Sequence, residues 1–252
     1  MGEAHRAMIA SGDQSEGTPA GTSVGVEYFE HMYRRSPDPW GFGHRWYEER
    51  KRALTLAILP RQRFRRAFEP GCSIGNLSTL LTDRCDHIVA SDIVDRAVDL
   101  TRTHLADAIA ANRASVEKWS LRWPWPDDMF DLIVLSEICF HLSAPELDRL
   151  VESAVTHLTP DSTVLAAHWR HPVPEYPFTG DGVHAYIRRT SALRSTACYT
   201  DADVVIASPC ETRPGGDVIF VSATGRMPCP GACNTKPGRC ETRPARQRAA
   251  AS

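Results

Sequence analysis

The stretch "FEPGCSIGNLSTLL", residues 68–81, determines which fold we predict for this chain. It contains a short apolar run, a Glu-x-Gly-x-Ser-x-Gly loop and then a run with helical spacing. Glycine adopts the left-handed conformations of sharp turns and allows a ligand to approach the backbone closely. In an open parallel sheet, ligands bind beyond the carboxyl ends of the strands. We therefore expect Gly71 and Gly75 to shape a ligand-binding loop between a strand and a helix.

A carboxylate stands at the end of the next predicted strand. In "HIVASD", residues 87–92, Asp92 lies 21 positions after Gly71. A carboxylate at this place can accept hydrogen bonds from both hydroxyls of a ribose, so we predict a nucleoside ligand. The other role open to Asp92 is to cap the helix that begins near Val94, and the two roles are compatible.

The order of the predicted elements indicates the fold class. Strand-like and helix-like runs alternate between residues 64 and 169, which is typical of crossover units and a parallel sheet. Later, "DVVIAS" (203–208) and "DVIFVSA" (217–223) flank a Pro/Gly-rich turn and predict a hairpin. Two helices are expected earlier, one around Val26–Tyr33 and one ending before Pro60. The predicted fold is α/β, a Rossmann-like, doubly wound, mostly parallel sheet that ends in an antiparallel hairpin and carries an N-terminal helical cap.

Composition predicts one domain with two tails. The chain has 252 residues, of which 42% are hydrophobic and 24% charged, and this suffices for one sizeable core. We predict a disordered N-terminal tail at 1–24, a domain at 25–225 and a basic, Pro/Gly-rich disordered tail at 226–252. The net charge of −2 gives no reason to expect a nucleic-acid partner, and no apolar run is long enough for a membrane helix.

The N-terminal sequence and the cysteines favour a cytoplasmic protein without a metal site. The first 24 residues lack the apolar core of a signal peptide, so we expect the eight cysteines to be free thiols in a reducing compartment. Cys229, Cys233 and Cys240 lie in the C-terminal tail, where a zinc site is an alternative. Their spacing matches no strong zinc template, and we therefore predict no metal.

Four segments resemble a known family. They are "DPWGFGHRWYEERKRALTLAILP" (38–60), "FEPGCSIGNLSTLL" (68–81), "DLIVLSEICFHL" (131–142) and "HWRHPVPEYPFTGDGVH" (168–184). Over about residues 25–225 the chain resembles class I S-adenosylmethionine-dependent methyltransferases, and among them the NodS-like nodulation N-methyltransferases. It departs from the family at "EKWSLRWPWP", where an acidic residue often contacts adenine, so the adenine contact is left unassigned.

The resemblance implies S-adenosylmethionine as the cofactor and methyl transfer to a small molecule. The founding NodS-like members are thought to N-methylate a deacetylated chitooligosaccharide. An amino-sugar or oligosaccharide nitrogen, in oligosaccharide biosynthesis, is therefore the favoured acceptor. The residues that the resemblance assigns to cofactor binding are Glu69, Gly71, Cys72, Ser73, Gly75, Asp92, Ile93 and Ser136.

Catalysis of amine methylation needs a group that handles a proton, because the acceptor nitrogen must be uncharged. Glu137 follows the predicted strand "FDLIVLS", which in this family ends at the sheet edge nearest the transferred methyl group. We predict that Glu137, His141 and His168 are catalytic residues. The alternatives are a local cap or ion pair for Glu137 and solvent exposure for His141.

Aromatic and basic residues on both sides of the predicted cavity are candidates for substrate binding. Aromatic faces suit sugar rings as well as a sulfonium cation. We expect Trp46 to pack against the core. Seven arginines between positions 45 and 66 are expected to form a solvated face, with an acidic substrate or carrier as the alternative. The predicted substrate-binding residues are Trp40, Tyr47, Trp169, Arg170 and His171.

Two other function classes are compatible with parts of the pattern. A nicotinamide-dependent oxidoreductase shares the strand, glycine loop and acid, but this loop lacks the G-x-G-x-x-G spacing. A non-catalytic binding protein on the same fold is the second alternative, because a fold does not fix a function. Within the methyltransferase interpretation, a different small-molecule N or O acceptor is a further alternative, and no oligomeric state is predicted.

Overall fold

A seven-stranded sheet runs through the residues that the computed structural model describes, 21–190 and 193–210. The strands are β1 (Phe64–Pro70), β2 (Cys85–Asp92), β3 (Ala114–Lys118), β4 (Phe130–Ser136), β5 (Leu158–Trp169), β6 (Arg194–Thr200) and β7 (Val204–Cys210). Their order across the sheet is β3-β2-β1-β4-β5-β7-β6. Neighbouring strands from β3 to β5 are parallel, whereas β7 is antiparallel to both β5 and β6. The predicted mostly parallel sheet with an antiparallel end is confirmed.

Helices connect the parallel strands and precede the first of them. They are α1 (Val26–Arg35), α2 (Trp46–Ala57), α3 (Asn76–Leu81), α4 (Asp95–His104), α5 (Ala106–Ala110), α6 (Ala144–Thr156) and α7 (Gly180–Thr190). A single 3-10 turn at Cys139–His141 follows β4. The sequence analysis predicts neither α7 nor β6.

Both faces of the sheet are buried, and β4 shows this most directly. Leu132 and Val134 join an apolar cluster that also contains residues of α2, α3 and α4. Ile133 and Leu135 join a second cluster that contains residues of α6 and α7. Successive side chains of a strand point to opposite faces, so the run from Leu132 to Leu135 is apolar at every position. This is the packing of a doubly wound sheet.

The terminal hairpin differs from the prediction in its strands. It forms between β6 and β7, and Asp201 closes its turn by accepting the backbone N–H of Val204 at 2.9 Å. One edge of β7 pairs with β5 and the other with β6, so no edge of β7 is left for the run at 217–223. The predicted pairing of 203–208 with 217–223 is therefore wrong, and 217–223 lies outside the described residues.

The N-terminal helices form the predicted cap over the carboxyl ends of the strands. Tyr33 of α1 packs against Ile74 of the glycine loop, and α2 faces the sheet through Tyr47 and Leu54. Trp46 is 71% exposed, so its predicted packing against the core is wrong. The reason is helical spacing: Tyr47 and Leu54 lie seven positions apart on the inner face of α2, and Trp46 lies off that face.

Within the described ranges, no helix combines the length and the apolar character that a membrane span requires. The same residues contain no group of three or more His, Cys, Asp or Glu side chains that could hold a metal ion. Cysteines 72, 85, 139 and 198 have free thiols. Most of the predicted tail at 1–24, all of the tail at 226–252 and the three cysteines in it lie outside the described part of the chain.

Candidate active site

A cavity of about 230 Å³ lies where the carboxyl ends of β1, β2 and β4 meet the N-terminal helices. The glycine loop and the strand ends form one wall, and residues of α1 and α2 form the other. Because parallel strands end at the same sheet edge, residues far apart in the chain meet here. Asp92, Glu137 and Lys51 line this one cavity.

The loop between β1 and α3 turns sharply, as its glycines predict. Gly71, Ser73 and Gly75 have φ values of 73°, 54° and 80°. A Cβ on Gly75 would lie 3.2 Å from the backbone Cα of Thr101, so a larger residue would strain the loop and push against α4. The backbone N–H of Cys72 donates to the Ser91 carbonyl at 2.9 Å and ties the loop to β2.

Two buried carboxylates lie beside this loop. Asp92, which is 8% exposed, accepts the backbone N–H groups of Ser73 and Val94, each at 3.0 Å. Burial raises the pKa of Asp92 to about 6, although these backbone donors oppose the shift. Glu69 accepts the Ser78 hydroxyl at 2.5 Å, and burial raises the pKa of Glu69 to about 7. A carboxylate has about four lone-pair positions, so Asp92 can bind these backbone groups and still accept ligand hydroxyls.

Three charged side chains, two buried and one partly buried, form a cluster at another part of the cavity wall. Lys51 Nζ lies 2.6 Å from Glu137 Oε1 and 2.8 Å from Glu48 Oε2, and we call these residues the Glu48–Lys51–Glu137 cluster. Lys51 and Glu48 are 4% and 5% exposed. Burial acts to lower the pKa of Lys51, but the two carboxylates outweigh it and raise that pKa, so Lys51 stays charged. Two residues come from α2 and one from the end of β4, so the cluster connects the helical cap to the sheet.

A second contact joins the cap to the glycine loop. The Tyr33 hydroxyl of α1 and Ser73 Oγ are hydrogen-bonded at 2.6 Å, and Arg96 of α4 donates to the Tyr33 carbonyl at 2.9 Å. Because Ser73 also donates its backbone N–H to Asp92, the cap is linked to the strand-end acid through one residue.

Comparison with known proteins identifies the family. A sequence profile of the methyltransferase domain matches residues 67–161. A Pseudomonas syringae protein with a crystal structure, provisionally described as a methyltransferase, is 42% identical to this chain. The match covers 66% of this chain and 99% of that one, with a TM-score of 0.58. The chain belongs to the class I S-adenosylmethionine-dependent methyltransferases. The family predicted from the sequence is confirmed.

Relatives of this methyltransferase include nodulation protein S. The protein from Bradyrhizobium diazoefficiens is 26% identical over 138 residues, which are 51% of this chain and 61% of the relative. The protein from Sinorhizobium fredii is 26% identical over 143 residues, 55% and 64% of the two chains. The match thus spans less than two thirds of these curated relatives. The N-methyltransferase NodS of Bradyrhizobium japonicum WM9, crystallised with S-adenosylhomocysteine, shares the fold at 17% identity, with a TM-score of 0.64 and coverage of 73% and 98%.

S-adenosylmethionine is the cofactor of this methyltransferase, and the cavity fits it. Asp92 offers a carboxylate for the ribose hydroxyls. Asn76 Nδ2 is buried in the same wall without a hydrogen-bond partner among the described residues, so a donor is available for an anionic group. Trp119 and Leu121 also line the cavity. They belong to "EKWSLRWPWP", residues 117–126, the segment in which the sequence assigns no adenine contact, and it reaches the site with apolar side chains.

The raised pKa of Asp92 predicts a pH dependence of cofactor binding. Ribose hydroxyls bind more strongly to the ionised carboxylate, which is lost as the pH falls below about 6. We expect the affinity for S-adenosylhomocysteine to be constant above pH 7 and to fall by roughly tenfold per pH unit below 6. Calorimetry from pH 5 to pH 8 measures this. An Asp92→Asn variant should show a flat profile; a wild-type profile that is equally flat would contradict the assignment.

The structure brings seven of the eight predicted cofactor residues to the cavity. Gly75 does not line it and instead shapes the loop from behind. The turn at Gly75 leaves the preceding residues of the loop facing the cavity. Those that line the cavity are Glu69, Gly71, Cys72, Ser73, Asp92, Ile93 and Ser136.

The predicted catalytic residues divide into two groups. Glu137 and His141 line the cavity, whereas His168 is fully buried behind its wall, with Nε2 accepting the Cys139 N–H at 3.2 Å. His168 Nδ1 lies 3.1 Å from His184 Nε2. Burial lowers the pKa of His141 to about 3 and that of His168 well below its usual value, so both are neutral near pH 7. The geometry supports His168 as a residue that holds the turn after β4, not as one that contacts substrate.

Three of the predicted substrate-binding residues, Trp40, Tyr47 and Trp169, line the cavity. The other two, Arg170 and His171, do not. Arg170 Nε lies 2.9 Å from Asp181 Oδ1, and His171 Nε2 lies 2.8 Å from Asp203 Oδ1. These pairs link the end of β5 to α7 and to the turn before β7, so they hold local structure.

Sequence reasoning missed Glu48 and Lys51, although a signal for Lys51 was available. Tyr47, Lys51 and Leu54 recur at i, i+4 and i+7, which places a lysine on the apolar face of α2. A lysine is almost never fully buried unless a charged partner accompanies it. The pattern could thus have predicted a buried acid near Lys51, but not which one.

Proposed function

We propose that this protein transfers a methyl group from S-adenosylmethionine to an amine nitrogen of a small molecule. The observation that carries the proposal is the Glu48–Lys51–Glu137 cluster in the same cavity as Asp92. Two carboxylates and one ammonium group leave a net negative charge there, which attracts a protonated amine. When bound, S-adenosylmethionine supplies an electrophilic methyl group, whose transfer to nitrogen leaves the carbon–sulfur bonding pair on sulfur.

The protein's own contribution is binding, orientation and exclusion of water. Asp92 and the glycine loop hold the nucleoside end, and α1 and α2 cover the cavity. Holding donor and acceptor in contact can contribute up to ~7–11 kcal/mol to a displacement of this kind. The charged cluster orients the amine and keeps it near the methyl group.

The favoured acceptor is the nitrogen of an amino sugar or oligosaccharide. Support comes from the similarity to nodulation protein S and from the N-methyltransferase description of NodS. It also comes from aromatic residues that line the cavity, Trp40, Tyr47 and Trp169, because aromatic faces suit sugar rings.

Binding and turnover assays test this function. We expect calorimetry to show one S-adenosylhomocysteine bound per chain and no heat with NADH, because the loop lacks the dinucleotide spacing. We expect methyl transfer to fully deacetylated chitotetraose and none to its N-acetylated counterpart, whose amide nitrogens are not basic. S-adenosylhomocysteine binding without turnover of this sugar or of simple primary amines would support the non-catalytic alternative.

A further inference from the structure

The carboxylate of Glu137 is engaged at both oxygens. Oε1 accepts Lys51 Nζ at 2.6 Å, and Oε2 accepts the backbone N–H of Trp169 at 3.0 Å. The backbone of Glu137 is also held, because its N–H donates to the Ala167 carbonyl at 2.9 Å while its φ is 58°. Non-glycine residues keep positive φ values only where the surroundings enforce them. Glu137 is thus fixed in place, and each of its oxygens already accepts one hydrogen bond from the protein.

Glu48 lines the same cavity but is engaged differently. Its Oε2 lies 2.8 Å from Lys51 Nζ, and none of the described residues donates a hydrogen bond to Oε1. Glu48 lies one helical turn before Lys51 on α2, so it approaches the cavity from the cap and not from the sheet. Among the described residues, Oε1 of Glu48 therefore has no donor, whereas each oxygen of Glu137 already accepts one hydrogen bond.

We propose that Glu48 receives the proton of the acceptor amine, and that Lys51 and Glu137 are positioning residues that hold it. The proposal rests on amine methylation as the proposed function. In this step an N–H bond of the ammonium group breaks and an O–H bond forms on Glu48. The nitrogen keeps the electron pair that then bonds to the methyl group. The proton leaves Glu48 for water after the reaction.

The charges around Glu48 suit this role. Lys51 and Arg52 come from its own helix, and Glu137 faces it from the end of β4. Burial raises the pKa of Glu48, and repulsion by Glu137 adds to this, while Lys51 and Arg52 oppose it without cancelling it. Lys51 cannot take the proton itself, because the two carboxylates keep it protonated. Glu48 therefore holds a proton more readily than an exposed glutamate does.

A carboxyl titration tests the proposal without any acceptor. The full-length protein, labelled with ¹³C at glutamate carboxyl carbons and saturated with S-adenosylhomocysteine, is titrated by NMR. We expect a resonance with a raised midpoint that is absent from Glu48→Gln but present in Glu49→Gln, a matched control on the exposed side of α2. Glutamine can still accept from Lys51, so the variant should fold, and its melting temperature checks this. A resonance lost from Glu48→Gln that titrates in the ordinary range would overturn the proposal.

Turnover provides the second test. With deacetylated chitotetraose, Glu48→Gln should lower kcat by about 10²–10⁴, and kcat should recover as the pH rises. Glu49→Gln should match wild type. Glu137→Gln should lower kcat without changing the shape of the pH profile, because the base remains. A wild-type pH profile for Glu48→Gln would overturn the proposal. If wild type does not methylate the sugar, the proposed acceptor is wrong and the titration alone decides the role of Glu48.

Discussion

Replacing Lys51 with methionine is expected to lower the free energy of unfolding by about 3–5 kcal/mol, the usual cost of removing one partner from a buried ion pair. Lys51 is 4% exposed and contacts two carboxylates, so its loss removes the ion-pair partner of the buried Glu48 and of the partly buried Glu137. Urea denaturation measures the change. It is among the largest effects expected for a single substitution in this protein.

The loss should depend on pH, and the sign follows from the carboxylates. Burial already raises the pKa of Glu48, and Lys51 opposes that shift. Without Lys51, the pKa of Glu48 in the folded state lies still further above its value in the unfolded chain. The penalty is fully present above the folded pKa and shrinks as the pH falls toward the unfolded value, so the variant should lose more stability at pH 8 than at pH 5.

An exposed lysine serves as the control for this variant. Lys118 pairs with Asp95 at 2.7 Å, but both side chains are largely exposed, and such pairs contribute at most about 1 kcal/mol. Equal losses for Lys51→Met and Lys118→Met would show that the Glu48–Lys51–Glu137 cluster is not desolvated as described.

Replacing Asp92 with alanine is expected to weaken S-adenosylhomocysteine binding by at least ~10²-fold. Hydrogen bonds to a charged group are each worth about 1.5–3 kcal/mol, and two to the ribose would be lost. Calorimetry at pH 7.5 measures the affinity. A change below threefold would remove Asp92 from the ribose site.

Two further variants separate lost binding from lost structure. Asp92→Ala also removes the acceptor for the Ser73 and Val94 N–H groups, so some loss of stability is expected. Ser73 and Val94 donate to different oxygens of Asp92, so Asp92→Asn keeps an acceptor for one of the two N–H groups. It should lose less stability than Asp92→Ala and have an affinity between wild type and Asp92→Ala. Asp95→Asn, three residues later and exposed, should bind as wild type does.

The sequence predicts the part of the site that is local in the chain. The glycine loop and Asp92 follow from spacing, because each stands directly after a strand and before a helix. Glu137 is found for the same reason, at the end of a strongly apolar strand. Parallel strands align their ends, so position along the strand is sufficient to place these residues at one edge.

The part that depends on tertiary contacts is not predicted. Glu48 pairs with Lys51 locally, but the contact of Lys51 with Glu137 spans 86 positions and follows only from how α2 packs on the sheet. Strand alternation predicts which face of β5 carries His168. It does not predict whether that face borders the cavity or the core, because this depends on α7, whose His184 packs against His168. The hairpin partner of β7 was missed because β6 lacks a clear apolar alternation.

The division of the cavity between sheet and cap has a consequence for how this protein can diversify. The methyltransferase-domain profile matches residues 67–161, which contain the glycine loop, Asp92 and Glu137. Glu48, Lys51 and Tyr33 all precede residue 60. If Glu48 and Lys51 handle the acceptor as proposed, mutations at these two positions should alter acceptor choice without touching Asp92 or the glycine loop. On the same proposal, relatives that share the loop but differ over the first sixty residues are expected to differ in substrate.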